Sequence, residues 1–545
     1  MHWLKRLFGR AVPSELTVTE NGLSHPWDAS RPSLFRFLVS FELGAEGRLP
    51  DAASTLPDEQ LVMNRSGTQL QWAAGALDGV LGHHSGESGQ VAVDEAIRIL
   101  AAATNTRSPA HVRDFYDMVN NQELLRLVDP LLEAVRRSTA IQADRLHDFA
   151  LWLVRESPDR AAVKMGISLL GLISPPQDTD VLIRIGLHEE FTLFAAVALA
   201  NTLPQAEGED ALWSLARRVD GWGRIHLVER LCKSSRPDIK AWLLREGYKN
   251  SVMYEYLAYV CAAGGGLLDA LEQDSIDTEL LNGAGDLIRA LLSGGPAQDI
   301  SGYEHGAKVV RRYLTHVASH GSPSLDIYLI VSDIAQFVGD AERDWASLEV
   351  MGWTEEHKRV VAEEAASILS EARWQGLAVT ALETDDSTAF WVAASAAGRM
   401  GLDIWEKRFE RQRDGRGDQW YDLMQTHEVA RVDRVIELAM KQIDLDSIAT
   451  GPSLEMGLGT KYRQHSGLDF ILQDLGKFPG RGWPIVEAGL KSPVTRNRNM
   501  ALRALGSWGV SQWPTGALAL LQQARSEEPD DDLRSRMEQL LAQTT

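Results

Sequence analysis

The chain has 545 residues, 44% hydrophobic and 24% charged, with 55 basic against 76 acidic side chains for a formal charge of −21. That length exceeds what one compact core accommodates, so several domains or a quasi-linear stack of repeats is expected, and the apolar content excludes general disorder. A field of that sign repels phosphate backbones except at a local basic patch, and it suits partners with basic segments.

In chain order, the opening "MHWLKRLFGR" puts Trp3, Leu4, Leu7 and Phe8 on one side of a helix and Lys5, Arg6 and Arg10 on the other. Such a helix suits docking on the protein's own surface, or a weak peripheral contact of residues 1–12 with an anionic membrane. It lacks the apolar run of a signal peptide, and no stretch reaches the roughly 18 uninterrupted apolar residues of a membrane span. A reducing, cytoplasmic setting is therefore expected. Residues 1–60 read as a partly irregular arm or cap, with strand-like candidates at "SELTVTENG" and "FRFLVSFEL".

Residues 61–155 read as helices of less repeat-like character. Within them, "GALDGVLGHHSGESG" presents Asp78, His83, His84 and Glu87 around a glycine-rich turn. Histidine titrates near neutral pH and a carboxylate can orient it, so this is the best candidate for acid–base chemistry. Glycines and polar residues after a helix are also what a helix-ending loop needs, and that reading leads.

From residue 156 onward apolar residues recur at three- and four-residue spacings, interrupted by Pro, Gly, Asp and Ser, which is the pattern of many short helices. Segments can be laid over one another. "PIVEAGLKSPVTRNRNMALRALGSW" places Ala501 and Leu502 twelve and thirteen residues after Gly489, and "LIRIGLHEEFTLFAAVALANT" places Ala198 and Leu199 likewise after Gly186. Tyr259 and Val260 follow Gly247 at the same distances, and Ala393 and Ala394 follow Ala381. Each copy reads as an amphipathic helix ending near a glycine, a polar turn, and a more apolar second helix. Glycine is expected to close the first helix in a left-handed conformation, and alanine to let the second approach its neighbours. One such pair cannot bury its apolar face alone and must stack on the next.

This pattern resembles the HEAT-repeat branch of the HEAT/armadillo α-solenoids, most clearly over 156–272, 372–400 and 481–543. That family often carries an arginine before an alanine-rich stripe, as Arg498 stands before Ala501; Ala195 and Tyr256 occupy the equivalent place elsewhere. The resemblance implies an all-α, right-handed solenoid of degenerate HEAT-like helix pairs with an irregular N-terminal cap. Repeats are expected over 156–292 and 307–545, with a loop break at 293–306 and a capping helix at the end. Arg496 and Arg498 then read as helix N-terminal and surface residues, and Glu527 to Asp532 as a solvated turn.

Other motifs carry little chemistry. His316 and His320 share a helical face at i, i+4 spacing, which suits zinc, but no glutamate follows the first and no third ligand is evident. "GLGTKYR" is not a phosphate loop, and "HHSGESGQ" lacks the spacing of a nucleophile elbow. Cys232 and Cys261 sit in apolar helical surroundings and read as buried hydrophobes. Several of the sixteen tryptophans, among them Trp152, Trp213, Trp242, Trp391 and Trp405, occupy apolar helical positions and read mostly as core spacers.

The expectation is a non-enzymatic scaffold that binds another protein, one with basic segments, through an extended acidic concave surface, with no cofactor. The alternative is a HEAT-like enzyme: a glycosylase acting on nucleic acid, or a lyase or hydrolase with its site near His83 and His84. The resemblance admits alkylpurine glycosylases and bilin attachment. The glycosylase version needs Arg408, Arg411, Arg413, Arg496 and Arg498 on one basic face.

Overall fold

The computed structural model describes residues 22–66, 73–76, 78, 93–320 and 323–544. The chain is an all-helical α-solenoid; among the described residues no element is a strand, and Glu455 and Val494 form an isolated parallel bridge. It divides into two compact units. The first holds the described residues up to Pro323 together with Ile330–Leu369, and the second holds Ser324–Leu329 and the described residues from Ser370 onward. The stretch 293–306 lies inside the first unit and carries a single 3-10 turn, Ile300–Gly302.

In the first unit, Arg160–Ile173, Glu189–Thr202, Gly221–Leu231, Glu255–Gly265, Thr278–Ser293 and Gly306–Ser319 each pack on the next in chain order. Other helices alternate with them, and Thr179–Gly186, Gln205–Ala216 and Pro237–Trp242 each pack on the row helix that follows. Arg160–Ile173 has protein on several sides and buries every residue from Ala162 to Gly171, whereas Gly306–Ser319 keeps an exposed polar face with Lys308, Arg311 and Thr315. In the second unit, Arg463–Leu475 packs on Thr495–Trp508, which also packs on Trp483–Leu490 and on the last helix, Asp531–Ala542. Asp530 caps that last helix, its carboxylate accepting from Leu533 N at 2.9 Å.

The expected glycine–alanine contact at a spacing of twelve is found between Gly489 and Ala501, with a different physical cause; Gly186 meets Ala195 instead, and Gly247 lies against Trp242 and Leu243. Gly186 and Gly489 both lie inside α-helices and neither has a positive φ. Their value is the missing side chain. A Cβ at Gly489 would lie 2.7 Å from Leu472 Cδ1 and 2.8 Å from Ala501 Cβ, and one at Gly186 would lie 2.8 Å from Ala195 Cβ. The contact falls at Ala195 rather than Ala198 because only two residues separate the first pair of helices, against four in the second, and because Gly186 ends its helix whereas Gly489 is followed by Leu490. Ala198, Leu199, Ala393, Ala394, Ala501 and Leu502 are all buried; Tyr259 and Val260 are half-buried.

Two local expectations are corrected. "FRFLVSFEL" is not a strand: Leu34–Val39 is a helix, capped by Ser33 and burying Leu34 and Leu38 four residues apart. Trp391 is not a core spacer but 57% exposed, whereas Trp152 and Trp405 are buried.

The N-terminal arm is held to the first repeats by polar contacts with the turns between helices. Arg31 pairs with Asp159 at 2.9 Å, Leu34 N donates to Ser157 O, and Arg184 donates to the carbonyls of Leu38 and Phe41 at 2.9 and 2.6 Å. Helix-end turns carry spare backbone groups, so an irregular segment laid across them satisfies both.

Two substitutions test the packing. Ala501→Asp is expected to lower stability by about 3 kcal/mol or more in denaturant unfolding, because an unpaired carboxylate enters a helix contact. A loss below about 1 kcal/mol would contradict it. Gly489→Ala should cost about 1–3 kcal/mol through overpacking, despite alanine's better helix propensity; a gain in stability would show that the close approach does not constrain this helix pair.

Candidate functional site

The five arginines singled out in the sequence do not form an open basic track. Arg408 pairs with Asp422 at 2.7 Å, and Arg413 with its neighbour Asp414 at 2.9 Å. Arg411 is buried and donates to the carbonyls of Thr384 and Asp385 at 2.7 and 2.9 Å. Arg496 pairs with Asp469. Arg498, expected at the surface, is fully buried (0% exposed) against an equally buried Glu528. Its Nε and Nη2 donate to the two carboxylate oxygens at 2.7 Å each, and its Nη1 donates to Ser492 O and Pro493 O at 2.9 and 3.0 Å. Glu528 therefore leaves the expected solvated turn, because its charge is the partner of a buried guanidinium thirty residues earlier.

The histidine candidates separate. His316 is buried with Nε2 on Leu271 O at 2.8 Å, while His320 Nε2 meets Thr278 Oγ1 at 3.2 Å. Among the described residues no group of three His, Cys, Asp or Glu is arranged to hold a metal ion. Asp78 is buried, and its carboxylate accepts a hydrogen bond from Lys164 Nζ at 2.5 Å. His83, His84 and Glu87, like residues 1–12, lie outside the described residues.

Lys164 belongs to a buried ionic cluster. It also donates to Glu190 at 2.6 Å, and Arg160 donates to Asp58 and Glu59 at 2.9 and 2.6 Å. Burial works against the Lys164 ammonium, but Glu190 and Asp78 outweigh it and raise its pKa. Burial likewise opposes the Glu190 carboxylate, yet Lys164 and Arg160 hold it down at about 2. These charges are consumed by one another and tie Asp58, Glu59 and Asp78 to the first repeats, a structural role for Asp78.

An open constellation lies in the second unit. Residues 451–457 run beside the turn 491–495: Gly451 N donates to Lys491 O at 2.9 Å, Glu455 N to Pro493 O at 3.3 Å, and Thr495 N to Glu455 O at 3.2 Å. Left-handed glycines bound the segment, Gly451 (φ +104°) and Gly457 (φ +71°). A Cβ at Gly457 would lie 2.6 Å from Val494 Cγ1, so the close approach needs glycine as well. The segment displays Leu454, Met456 and Leu458, which are 65%, 64% and 59% exposed. Leu454 and Met456 form one wall of a groove of about 610 Å³, and Arg496, Asn499, Met500, Arg503 and Arg536 line the rest. Arg536 donates to Asn499 Oδ1 at 2.6 Å; among the described residues the Arg503 guanidinium has no acidic partner. Sequence reasoning reached Arg496 and missed the others. The available signal was the alternating "LEMGL", an aliphatic row in a glycine-bounded loop.

No protein-family model and no curated protein matches this chain. Among solved structures, one described as a "Circular tandem repeat protein with novel repeat topology and enhanced subunit contact surfaces" is 13% identical, with 86% of this chain and 95% of that chain covered and a TM-score of 0.14. The two do not superpose at that score, and the fold described above rests on this chain's own packing. No described helix is long and apolar enough to cross a membrane.

One carboxyl outside the groove titrates unusually. Glu189 opens a row helix beside Asp220 and Gly221. Burial and the Asp220 charge push its pKa up to about 7, against a hydrogen bond from Trp222 N–H that favours the charged form. The folded state thus binds the proton more tightly than the unfolded chain. The resulting stability is present in full below the ordinary value of 4.5 and is lost as pH rises through 7. Glu189→Gln is expected to exceed wild type by about 2 kcal/mol in denaturant unfolding near pH 8, with the gap closing near pH 4. Parallel stability curves for the two proteins would refute the shift.

Proposed function

We propose that this chain is a non-enzymatic scaffold of HEAT-like helix pairs that binds another protein. The observation carrying this reading is the exposed aliphatic row Leu454, Met456 and Leu458 on backbone fixed by hydrogen bonds to the neighbouring turn. Aliphatic side chains standing in water beside arginines on an ordered surface are the composition of a protein contact. The enzyme readings draw no comparable support. Asp78 is neutralised by a buried lysine, and Arg411 and Arg498 are engaged inside the second unit. The acidic bulk charge disfavours nucleic acid, the arginines beside the aliphatic row set the local charge there to the opposite sign, and the free thiols Cys232 and Cys261 suit a reducing cytoplasm.

The test compares tagged wild-type chain with Met456→Glu in pull-downs from nuclease-treated native extract. A stoichiometric protein recovered by the wild type and lost from the variant supports the reading. Recovery of nucleic acid alone, or of no protein at all, would overturn it.

A further inference from the structure

The segment beside the groove leaves one edge of its main chain unused. In a bridged extended segment, alternate residues direct their N–H and C=O to opposite edges. Glu455 spends both groups on the turn, its N–H on Pro493 O and its C=O on Thr495 N. The neighbours Leu454 and Met456 turn the other way. Among the described residues no hydrogen bond reaches the N–H or C=O of either. Folded proteins normally shield such an edge with charge, proline or a covering element, because it is a template for another strand. Here Pro452 stands at one end of the edge, and beyond it Leu454 and Met456 carry exposed aliphatic side chains with no covering element; every named element among the described residues is a helix.

The charge beside that edge has the opposite sign from the chain as a whole. Arg496, Arg503 and Arg536 line the groove against one carboxylate, Glu455, which already accepts from Tyr462 OH. Arg496 is paired with Asp469, leaving Arg503 and Arg536 without an acidic partner among the described residues. An occupant therefore needs three things: an extended backbone with free N–H and C=O groups, aliphatic side chains on one face, and carboxylates beside them. A basic segment fails the last requirement, and that includes residues 1–12 with Lys5, Arg6 and Arg10.

We infer that the outer edge at Leu454–Met456 takes up an extended, acidic and aliphatic segment of a partner protein as an added strand. Main-chain hydrogen bonds run to Leu454 and Met456, and carboxylates of the segment reach Arg503 and Arg536. This inference rests on the scaffold reading and deepens it. Strand addition draws affinity from the main chain and selectivity from the flanking side chains, so both halves can be tested separately.

The probes are short fluorescein-labelled peptides, one alternating valine with glutamate and one alternating valine with lysine, titrated by anisotropy into the full chain. The valine–glutamate peptide is expected to bind saturably and the valine–lysine peptide at least about tenfold more weakly, a factor set by a modest difference in binding free energy. Met456→Pro removes one free N–H and should abolish binding of the first peptide. Arg503→Glu should reverse the preference between the two. Both positions are exposed, and an unchanged thermal melt for each variant confirms that the fold is intact. Equal binding of both peptides, no binding of either, or unchanged binding by Met456→Pro would overturn the inference. So would preferential capture of a labelled single-stranded oligonucleotide, or self-association abolished by Arg503→Glu. A partner recovered from extract equally by wild type and Arg503→Glu would sink the strand-addition proposal while leaving the scaffold reading in place.

Discussion

The buried pair Arg498–Glu528 is the interaction to which the second unit's open groove is tied. Removing a guanidinium and a carboxylate from water costs several kcal/mol each, and the cost is recovered only when every donor finds a partner. Here the fork meets both carboxylate oxygens, and the remaining nitrogen reaches the carbonyls of Ser492 and Pro493. The pair thereby ties the turn between two helices to the end of Ala517–Glu527, just before the last helix. That same turn is the surface on which residues 451–457 lie, since Pro493 O also accepts from Glu455 N. The exposed aliphatic row and the groove follow from an ion pair that no solvent reaches.

The first unit uses buried charge in another place. Lys164 and Arg160 stand on one row helix and gather Asp58, Glu59, Asp78 and Glu190 from the arm and the next row helix. Such a cluster is weak as a source of net stability, because apolar residues of the same volume would pack as well. Its effect is specificity: only one placement of the arm satisfies all of these groups. In both units, apolar contacts of small residues set the spacing of helices while buried charges decide where irregular segments lie.

Much of the architecture was legible because stacking imposes local rules. A glycine that must admit an alanine and an apolar helix after a polar turn both leave marks within about twenty residues of sequence. The cause of the glycine was misread, since a missing Cβ and a left-handed φ select the same residue. Arg498 was misplaced because its partner stands thirty positions away, and nothing in "TRNRNMALR" shows which arginine is drawn inward. "FRFLVSFEL" misled because it carries alternation and four-residue spacing at once, and burial of Leu34 and Leu38 decides for the helix. The groove was invisible for a similar reason. It joins an extended loop, a helix and the last helix, and only their packing brings Met456, Arg503 and Arg536 together.

The most direct test is amide hydrogen exchange on Glu528→Gln, which keeps the shape of the side chain and removes the charge facing Arg498. Leaving that guanidinium buried without its counter-ion should destabilise the turn, so that the amides of Glu455 and Thr495 exchange at least about tenfold faster than in wild type. Amides in the first unit's row helices, such as Ala162 to Gly171, should keep their protection. Unchanged exchange at Glu455 and Thr495 would mean that the extended segment stands without the buried pair, and would contradict the dependence of the groove on it.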